Sequence, residues 1–134
     1  MTSLITELIE EHKALKSLLS EVYNYISSTE KKIEFVNKLK DIVVAHIGKE
    51  DAELYPFLNK EAEKDANLKI KLDLFAKDWD GISEFANYYI EKYSKGEFDG
   101  SFADDTAKLL STLRQRMMKE EISLYSEYDK RFKQ

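Results

Sequence analysis

The stretch VVAHIGKEDAELYPFL, residues 43–58, contains one of only two histidines in the 134-residue chain. His46 and Glu50 lie four positions apart, so on a helix their side chains leave the same face with Cβ atoms roughly 6 Å apart. An imidazole and a carboxylate at that spacing can share one cation. The stretch therefore predicts a helix that carries a polar site.

The apolar positions around this stretch repeat every seven residues and put His46 and Glu50 on the inner face of the helix. Two such rows are Val36, Val43, Glu50 and Phe57, and Leu39, His46 and Glu53. An ionised carboxylate on an apolar face is costly to desolvate without a partner. Glu50 therefore requires a metal ion, a cationic side chain or water beside it.

The composition favours a single all-α domain. The chain has one Pro, four Gly and many Glu, Lys, Leu and Ala residues, which favour long helices with few interruptions. A length of 134 residues is ordinary for one domain and suffices for a buried core. The absence of Cys excludes disulfides, iron–sulfur clusters and thiol catalysis.

Charge and hydropathy exclude several kinds of partner. The net charge of -5 offers no basic surface, so we expect no nucleic-acid partner. No stretch approaches the ~20 apolar residues that span a bilayer, so we expect no membrane partner. The amino-terminal segment reaches Glu7 before a secretory signal could develop. We therefore expect a soluble, cytoplasmic protein.

Breaks in the helical period divide the chain into four predicted helices. Their expected ranges are about 3–27, 30–64, 67–95 and 102–131. Pro56 falls inside the second helix, where it removes one backbone hydrogen bond, so a kink is predicted there. Four long helices with short links predict one antiparallel up-down-up-down four-helix bundle over residues 1–134.

The second histidine, His12, lies on the inner face of the first predicted helix. Its row is Ile5, His12, Leu19 and Ile26. A lone histidine on such a face is more often structural than a ligand. Because His46 holds a comparable inward position on the next helix, however, we expect the two imidazoles to meet inside the bundle.

An internal repeat relates the two halves of the chain. With an offset of 70, residues 46–55, HIGKEDAELY, align with residues 116–125, RMMKEEISLY. With an offset of 67, residues 11–15, EHKAL, align with residues 78–82, DWDGI. In this alignment Arg116 corresponds to His46, Trp79 to His12 and Glu120 to Glu50. One half of a two-fold polar centre is thus retained and the other half is filled.

These residues resemble the hemerythrin-like HHE cation-binding domain, a four-helix bundle that holds two non-haem irons. The resemblance rests on His12, on His46-x-x-x-Glu50, and on Leu54-Tyr55-Pro56, and it covers the whole chain in helix order and spacing. In that family one iron takes a histidine from each of the first two helices. The resemblance therefore implies that His12 and His46 are ligands of one metal.

The resemblance also implies two carboxylate ligands. The family bridges its two irons with carboxylates from the second and fourth helices, and Glu50 matches the first of these. Spacing variants within the family leave Glu120 and Glu121 open for the other. Glu120 is preferred because it mirrors Glu50 in the repeat.

The ligands of the other iron are missing from this chain. The family uses two histidines four apart on the third helix and one on the fourth, where this sequence has Phe75, Trp79 and Arg116. All departures fall on one side of the site. The chain therefore resembles a degenerate member of the family, whose centre holds one metal or none.

A centre with one metal and a centre with none are both chemically reasonable. Two imidazoles with one or two carboxylates and an open position suit one Fe, Zn or Mn ion. Alternatively no metal binds, and the guanidinium of Arg116 pairs bidentately with a carboxylate in place of the missing cation. Phe75 and Trp79 are then expected to fill the volume of the second metal.

Two functions fit these residues. The first is the sensing or handling of metal, oxygen or redox state through at most one non-haem metal, and the second is a metal-free interaction or structural module with a buried polar network. The chain lacks the Glu-x-x-His motif of a ferritin-like oxidase, because Ile9 and Val43, and not glutamates, stand three positions before the two histidines. No nucleophile elbow or phosphate loop appears, so we do not expect an enzyme.

Overall fold

The computed structural model describes residues 1–132, which form a four-helix bundle and contain no strand. Six α-helices build its four rods: α1 Ser3–Ser20, α2 Thr29–Lys49, α3 Tyr55–Ala62, α4 Ala66–Ser94, α5 Phe102–Ile122 and α6 Leu124–Arg131. The rods are α1 alone, α2 followed by α3, α4 alone, and α5 followed by α6. The prediction of an all-α four-helix bundle is confirmed.

Side-chain caps determine where several helices begin. Thr2 Oγ1 accepts a hydrogen bond from the Ile5 backbone N–H at 3.3 Å, and Ser28 Oγ accepts one from Lys31 at 3.1 Å. Asp65 Oδ1 caps α4 in the same way. Each cap satisfies a backbone donor that has no partner within its helix, which stabilises the start of the rod.

The first rod is shorter than the predicted helix over residues 3–27. Helix α1 ends at Ser20, and a 3₁₀ turn, Val22–Tyr25, follows it. Within that turn Val22 and Tyr25 pack against the apolar core. The α-helix thus gives way to a 3₁₀ turn before the link to α2. β-Branched and aromatic residues have a low α-helix propensity, so their contacts with the core stabilise this turn more than a longer helix would.

A π-helical turn, Glu50–Leu54, lies in the second rod where a kink near Pro56 was predicted. The Tyr55 N–H bonds to the Glu50 carbonyl, five residues back. As a result Pro56 falls in the first turn of α3, where a backbone N–H is not needed. Such single π turns are rare and are often found at functional sites.

The fourth rod is also interrupted, whereas the sequence predicts one helix over residues 102–131. Ser123, with φ -112° and ψ -79°, separates α5 from α6. The offset of 70 maps the π turn onto residues 120–124, so the two breaks occupy equivalent places in the repeat. The π turn begins at the buried Glu50 and is followed by Tyr55, and Ser123 comes three residues after the buried Glu120 and two before Tyr125.

Two apolar clusters fill the two ends of the bundle. One combines the C-terminal ends of α1 and α4 with the N-terminal ends of α2 and α5, as antiparallel packing requires. The other combines the start of α1 with α3, the start of α4, and α6. The predicted polar residues lie between these clusters, near the middle of the bundle. No helix among residues 1–132 is long and apolar enough to cross a membrane.

Candidate metal centre

Four of the predicted ligands converge in the interior. His12 comes from α1, His46 from α2, Glu50 from the π turn and Glu120 from α5, and all four are buried. One ligand atom from each lies within 4.8 Å of the others. Three rods thus contribute to one compact set of two imidazoles and two carboxyl groups.

The spacing of the donor atoms fits a single cation. His12 Nε2 is 3.0 Å from His46 Nε2 and 3.3 Å from Glu120 Oε1, and His46 Nε2 is 3.5 Å from Glu50 Oε2. Ligands that share one metal at bond lengths of about 2.1 Å are separated by roughly 3 to 4 Å. The residues present therefore fit one transition-metal ion.

The outer nitrogens of both imidazoles contact carboxylates. His12 Nδ1 is 2.8 Å from Glu121 Oε2, and His46 Nδ1 is 2.8 Å from Glu11 Oε1. A carboxylate at this position accepts the Nδ1–H and directs Nε2 into the centre, where its lone pair can bind a cation once that nitrogen carries no proton. Glu121, the alternative to Glu120, thus lies behind His12 and not beside the converging nitrogens.

Glu11 was missed by the sequence reasoning. Its other oxygen, Oε2, accepts a hydrogen bond from Lys49 Nζ at 2.6 Å, which orients the carboxylate toward α2. Burial tends to raise the pKa of Glu11, but its bonds to Lys49 and His46 outweigh this effect and lower it. The available signal was its position next to His12, on the side of α1 that faces α2.

Tyr125 is a second residue that the sequence reasoning missed. Its hydroxyl donates to Glu50 Oε2 at 2.8 Å and lies 3.0 Å from His12 Nε2 and 3.3 Å from His46 Nε2. Burial, together with the nearby carboxyl groups of Glu120 and Glu50, raises the pKa of this phenol. The signal was the repeat, which aligns Tyr125 with Tyr55.

Burial and mutual contact shift the pKa values of the four ligand-type groups in different directions. Burial lowers the pKa of His12, whereas the hydrogen bond and charge of Glu50 overcome burial and raise the pKa of His46 to about 9. Burial and the charge of Glu50 raise the pKa of Glu120 well above its usual range. For Glu50, the bond to His46 overcomes burial and lowers the pKa. The pKa shifts of the two imidazoles are thus opposite in direction, and so are those of the two carboxyl groups.

Phe75, Trp79 and Arg116 also come together, on the other side of the two glutamates. The Arg116 Cζ lies 4.8 Å from the centre of the Phe75 ring and 5.5 Å from that of Trp79. Its Nη1 donates to the Phe75 carbonyl at 2.8 Å, and its Nη2 donates to the Tyr55 hydroxyl at 3.0 Å. The side chain is buried and forms close contacts with both rings.

Arg116 does not form the predicted bidentate pair with a carboxylate of the centre. Its Nε is 3.6 Å from Glu120 Oε2, and its Nη1 is 3.2 Å from Asp78 Oδ2 at the rim. Among residues 1–132, the Nε of Arg116 is the one buried side-chain nitrogen or oxygen without a hydrogen-bond partner. The two ends of the guanidinium turn toward α4 and Tyr55 because those groups accept its hydrogen bonds at shorter range.

The arrangement around Arg116 does not fit a second metal ion. Phe75 and Trp79 supply hydrocarbon surface and an indole, and Arg116 supplies a fixed positive charge. A second cation would be repelled by the guanidinium and would find no imidazole there. The described residues therefore fit one metal and not the iron pair.

A cleft connects this side of the centre to the surface. It has a volume of about 320 Å³, and Glu50, Tyr55, Trp79 and Arg116 contribute to its wall. A smaller cavity of about 30 Å³ is bounded by His46, Glu50, Glu120 and Arg116 and by apolar side chains. A water molecule or another small ligand fits a space of that size.

The fold and this buried histidine–glutamate set define a helical-bundle protein with a candidate cation site. The family model of the hemerythrin HHE cation binding domain matches residues 3–128. The chain therefore belongs to the hemerythrin HHE family, as its motifs had indicated. No curated protein and no solved structure gives a significant match to the chain.

Proposed function

We propose that this chain binds one transition-metal ion, foremost iron, through His12, His46, Glu50 and Glu120. The supporting observation is the convergence of their donor atoms within 4.8 Å in the bundle interior. The carboxylates behind both imidazoles orient the Nε2 lone pairs toward the same point. A buried polar cluster with outer-shell partners of this kind is typical of a metal site.

The donor set favours iron, with zinc and manganese as competitors. Two imidazoles with carboxylate oxygens are usual for mononuclear non-haem iron, and membership of a family named for cation binding supports the same choice. When bound, iron would supply one-electron chemistry and an open position for a small ligand. The residues of the chain hold both Nε2 atoms inward and keep the ligand-type side chains buried.

The proposed role is the sensing or handling of metal, oxygen or redox state through this one ion. Arg116 supports the limit of one, because its buried charge lies 3.6 Å from Glu120 on the side where the family's second iron would be. The cleft beside Arg116 and Glu50 supports a role in exchange with solvent, since it joins the polar centre to the surface.

A metal-free interaction or structural module is the second candidate. Apart from the Nε of Arg116, the buried side-chain nitrogens and oxygens of residues 1–132 have hydrogen-bond partners without an ion. A satisfied network of this kind can exist as a purely structural feature. In that case the family's metal centre has become a set of hydrogen bonds and ion pairs.

Metal analysis of protein purified without a histidine tag tests the proposal. We expect wild type to bind one equivalent of metal after anaerobic loading with Fe(II). A His46→Ala variant, which lacks half of the imidazole ligands, should bind none. Glu53→Ala, an exposed carboxylate one turn from Glu50, is the matched control and should load like wild type. No uptake of Fe(II), Zn(II) or Mn(II) would favour the metal-free module, and two equivalents would contradict the single site.

A further inference from the structure

We infer that Tyr125 is a fifth ligand of the proposed centre, and that its phenolate oxygen coordinates the ion when iron is ferric. This inference rests on the proposed function, since it requires a metal among His12, His46, Glu50 and Glu120. It also goes further, because it assigns an oxygen donor outside the histidine–carboxylate set and a preferred oxidation state.

The first support is distance. The Tyr125 oxygen lies 2.8 Å from Glu50 Oε2, 3.0 Å from His12 Nε2 and 3.3 Å from His46 Nε2. These are the separations expected between ligands of one ion. A phenol has one proton and can donate to one of these three atoms only. A cation in the middle would satisfy all of the lone pairs that face each other there.

The second support is how firmly the ring is held. Tyr125 is 1% exposed, and its ring stacks on the His12 imidazole with centroids 5.3 Å apart and an angle of 23°. Its neighbours Leu124 and Tyr128 are buried in the apolar cluster at that end of the bundle. The oxygen is therefore held in place before any metal arrives, as a ligand must be for tight binding.

The third support is the internal repeat. Tyr55 follows the π turn just as Tyr125 follows the break at Ser123, and the offset of 70 aligns the two. The Tyr55 hydroxyl lies 3.0 Å from Nη2 of Arg116. Each tyrosine thus faces the polar group of its own half, which is the guanidinium for Tyr55 and the imidazole pair for Tyr125.

The coordination step balances without a redox partner. When Fe(III) is supplied as such, an iron–oxygen bond forms, the phenol O–H bond breaks, and the proton passes to the buffer. A bound cation promotes loss of a proton from its ligand, and tyrosinate is a known ligand of iron in proteins. A hard phenolate oxygen favours ferric over ferrous iron, so the centre should bind Fe(III) more tightly than a set without tyrosine.

Visible absorption of the ferric protein tests the inference. Wild type, Tyr125→Phe and Tyr55→Phe are each loaded with Fe(III) nitrilotriacetate and, separately, with Zn(II). Wild type and Tyr55→Phe should both show a phenolate-to-iron charge-transfer band in the visible region. Tyr125→Phe should bind Zn(II) but lack the band. Its Fe(III) affinity should fall by at least about 100-fold, the upper end of what outer-shell changes cost.

The possible failures are distinguishable. A wild type that binds Fe(III) without a visible band, or a Tyr125→Phe variant that keeps the band, overturns the inference and leaves the proposed function standing. A wild type that binds neither Fe(III) nor Zn(II) overturns both. If Tyr125→Phe does not fold, resonance Raman spectra of the wild-type ferric protein with ring-deuterated tyrosine decide the question. Phenolate modes that shift with the label support the inference, and their absence overturns it.

Discussion

At the scale of single residues, the neighbouring glutamates Glu120 and Glu121 have different places in the centre, although their spacing in the sequence does not distinguish them. Glu120 is buried, with Oε1 3.3 Å from His12 Nε2, whereas Glu121 contacts the outer nitrogen of the same ring at 2.8 Å. Successive residues on a helix point about 100° apart, so one reaches the inner side of the imidazole and the other its outer side. We therefore propose Glu120 as a metal ligand and Glu121 as the group that orients the histidine.

We expect Glu120→Gln to abolish metal binding with little loss of stability. Burial and the charge of Glu50 raise the pKa of Glu120 and so disfavour its charged form, and Gln is neutral and similar in shape. Glu121→Gln should keep the ligand set and weaken binding by about 10- to 100-fold, as outer-shell changes do. Calorimetric titration with Zn(II) measures both variants. The assignment of the two roles fails if Glu121→Gln weakens binding more than Glu120→Gln.

Arg116→Ala should destabilise the metal-free protein by about 3 to 5 kcal/mol, the usual cost of truncating a large buried side chain to Ala. The variant loses the contacts with the Phe75 and Trp79 rings and the hydrogen bonds to the Phe75 carbonyl and the Tyr55 hydroxyl. Urea unfolding in the presence of a chelator measures the change.

Arg114→Ala is the matched control for this experiment. Arg114 is an exposed residue on the same helix, and its replacement should change stability by no more than about 0.5 kcal/mol. A loss below about 1 kcal/mol for Arg116→Ala would show that the guanidinium contributes little to the fold.

At the scale of helices, the interruptions in two of the rods determine which side chains face the centre. The π turn over Glu50–Leu54 accommodates one residue more than an α-helix would over the same length. It keeps His46 inward on α2 while Leu58 is fully buried on α3. It also places Pro56 where the missing N–H does no harm.

Deletion of the exposed Ala52 should therefore destabilise the protein by about 3 kcal/mol, because Pro56 would then lie inside a continuous α-helix. Pro56→Ala alone should be close to neutral, since Pro56 occupies a first helical turn. The deletion combined with Pro56→Ala should recover most of the lost stability. Thermal unfolding of the four proteins gives the coupling between the two changes. Additive effects would show that the π turn does not serve to accommodate the proline.

At the scale of the whole molecule, the bundle is a two-fold repeat whose halves differ in chemistry. One half brings His12 and His46 together, and the other brings Trp79 and Arg116 together, with Glu50 and Glu120 between them. The two halves share a backbone feature, since each contains a rod that is interrupted within the five residues that begin with its glutamate. The difference between the proposed metal site and the other half therefore lies in a few side chains.

Replacing Phe75, Trp79 and Arg116 together by His should add a second metal site. The three side chains already converge, and Glu120 lies beside Arg116, so the new imidazoles would meet a carboxylate. We expect iron uptake to rise by one equivalent relative to wild type, as measured by metal analysis after anaerobic loading. Arg116→His alone is the control and should not add an equivalent. A folded triple variant with unchanged uptake would show that this half cannot hold a metal in its present geometry.

The sequence by itself determined the helical fold and the core of the candidate site. Seven-residue rows place His12 and His46 on inner faces, and the spacing of four between His46 and Glu50 places both on the same face of one helix. These features are local, so they can be derived from periodicity alone. The motif around them also sufficed to indicate the family.

Only the tertiary structure decided which atoms meet across rods. It placed Glu120 inside and Glu121 behind His12, added Glu11 and Tyr125, and turned Arg116 toward Phe75 instead of a bidentate pair with a carboxylate. The physical reason is that periodicity specifies the face of a helix but not the axial register or rotation between helices. A π turn or a break at one residue also rotates every side chain beyond it, and no local pattern reports the size of that rotation.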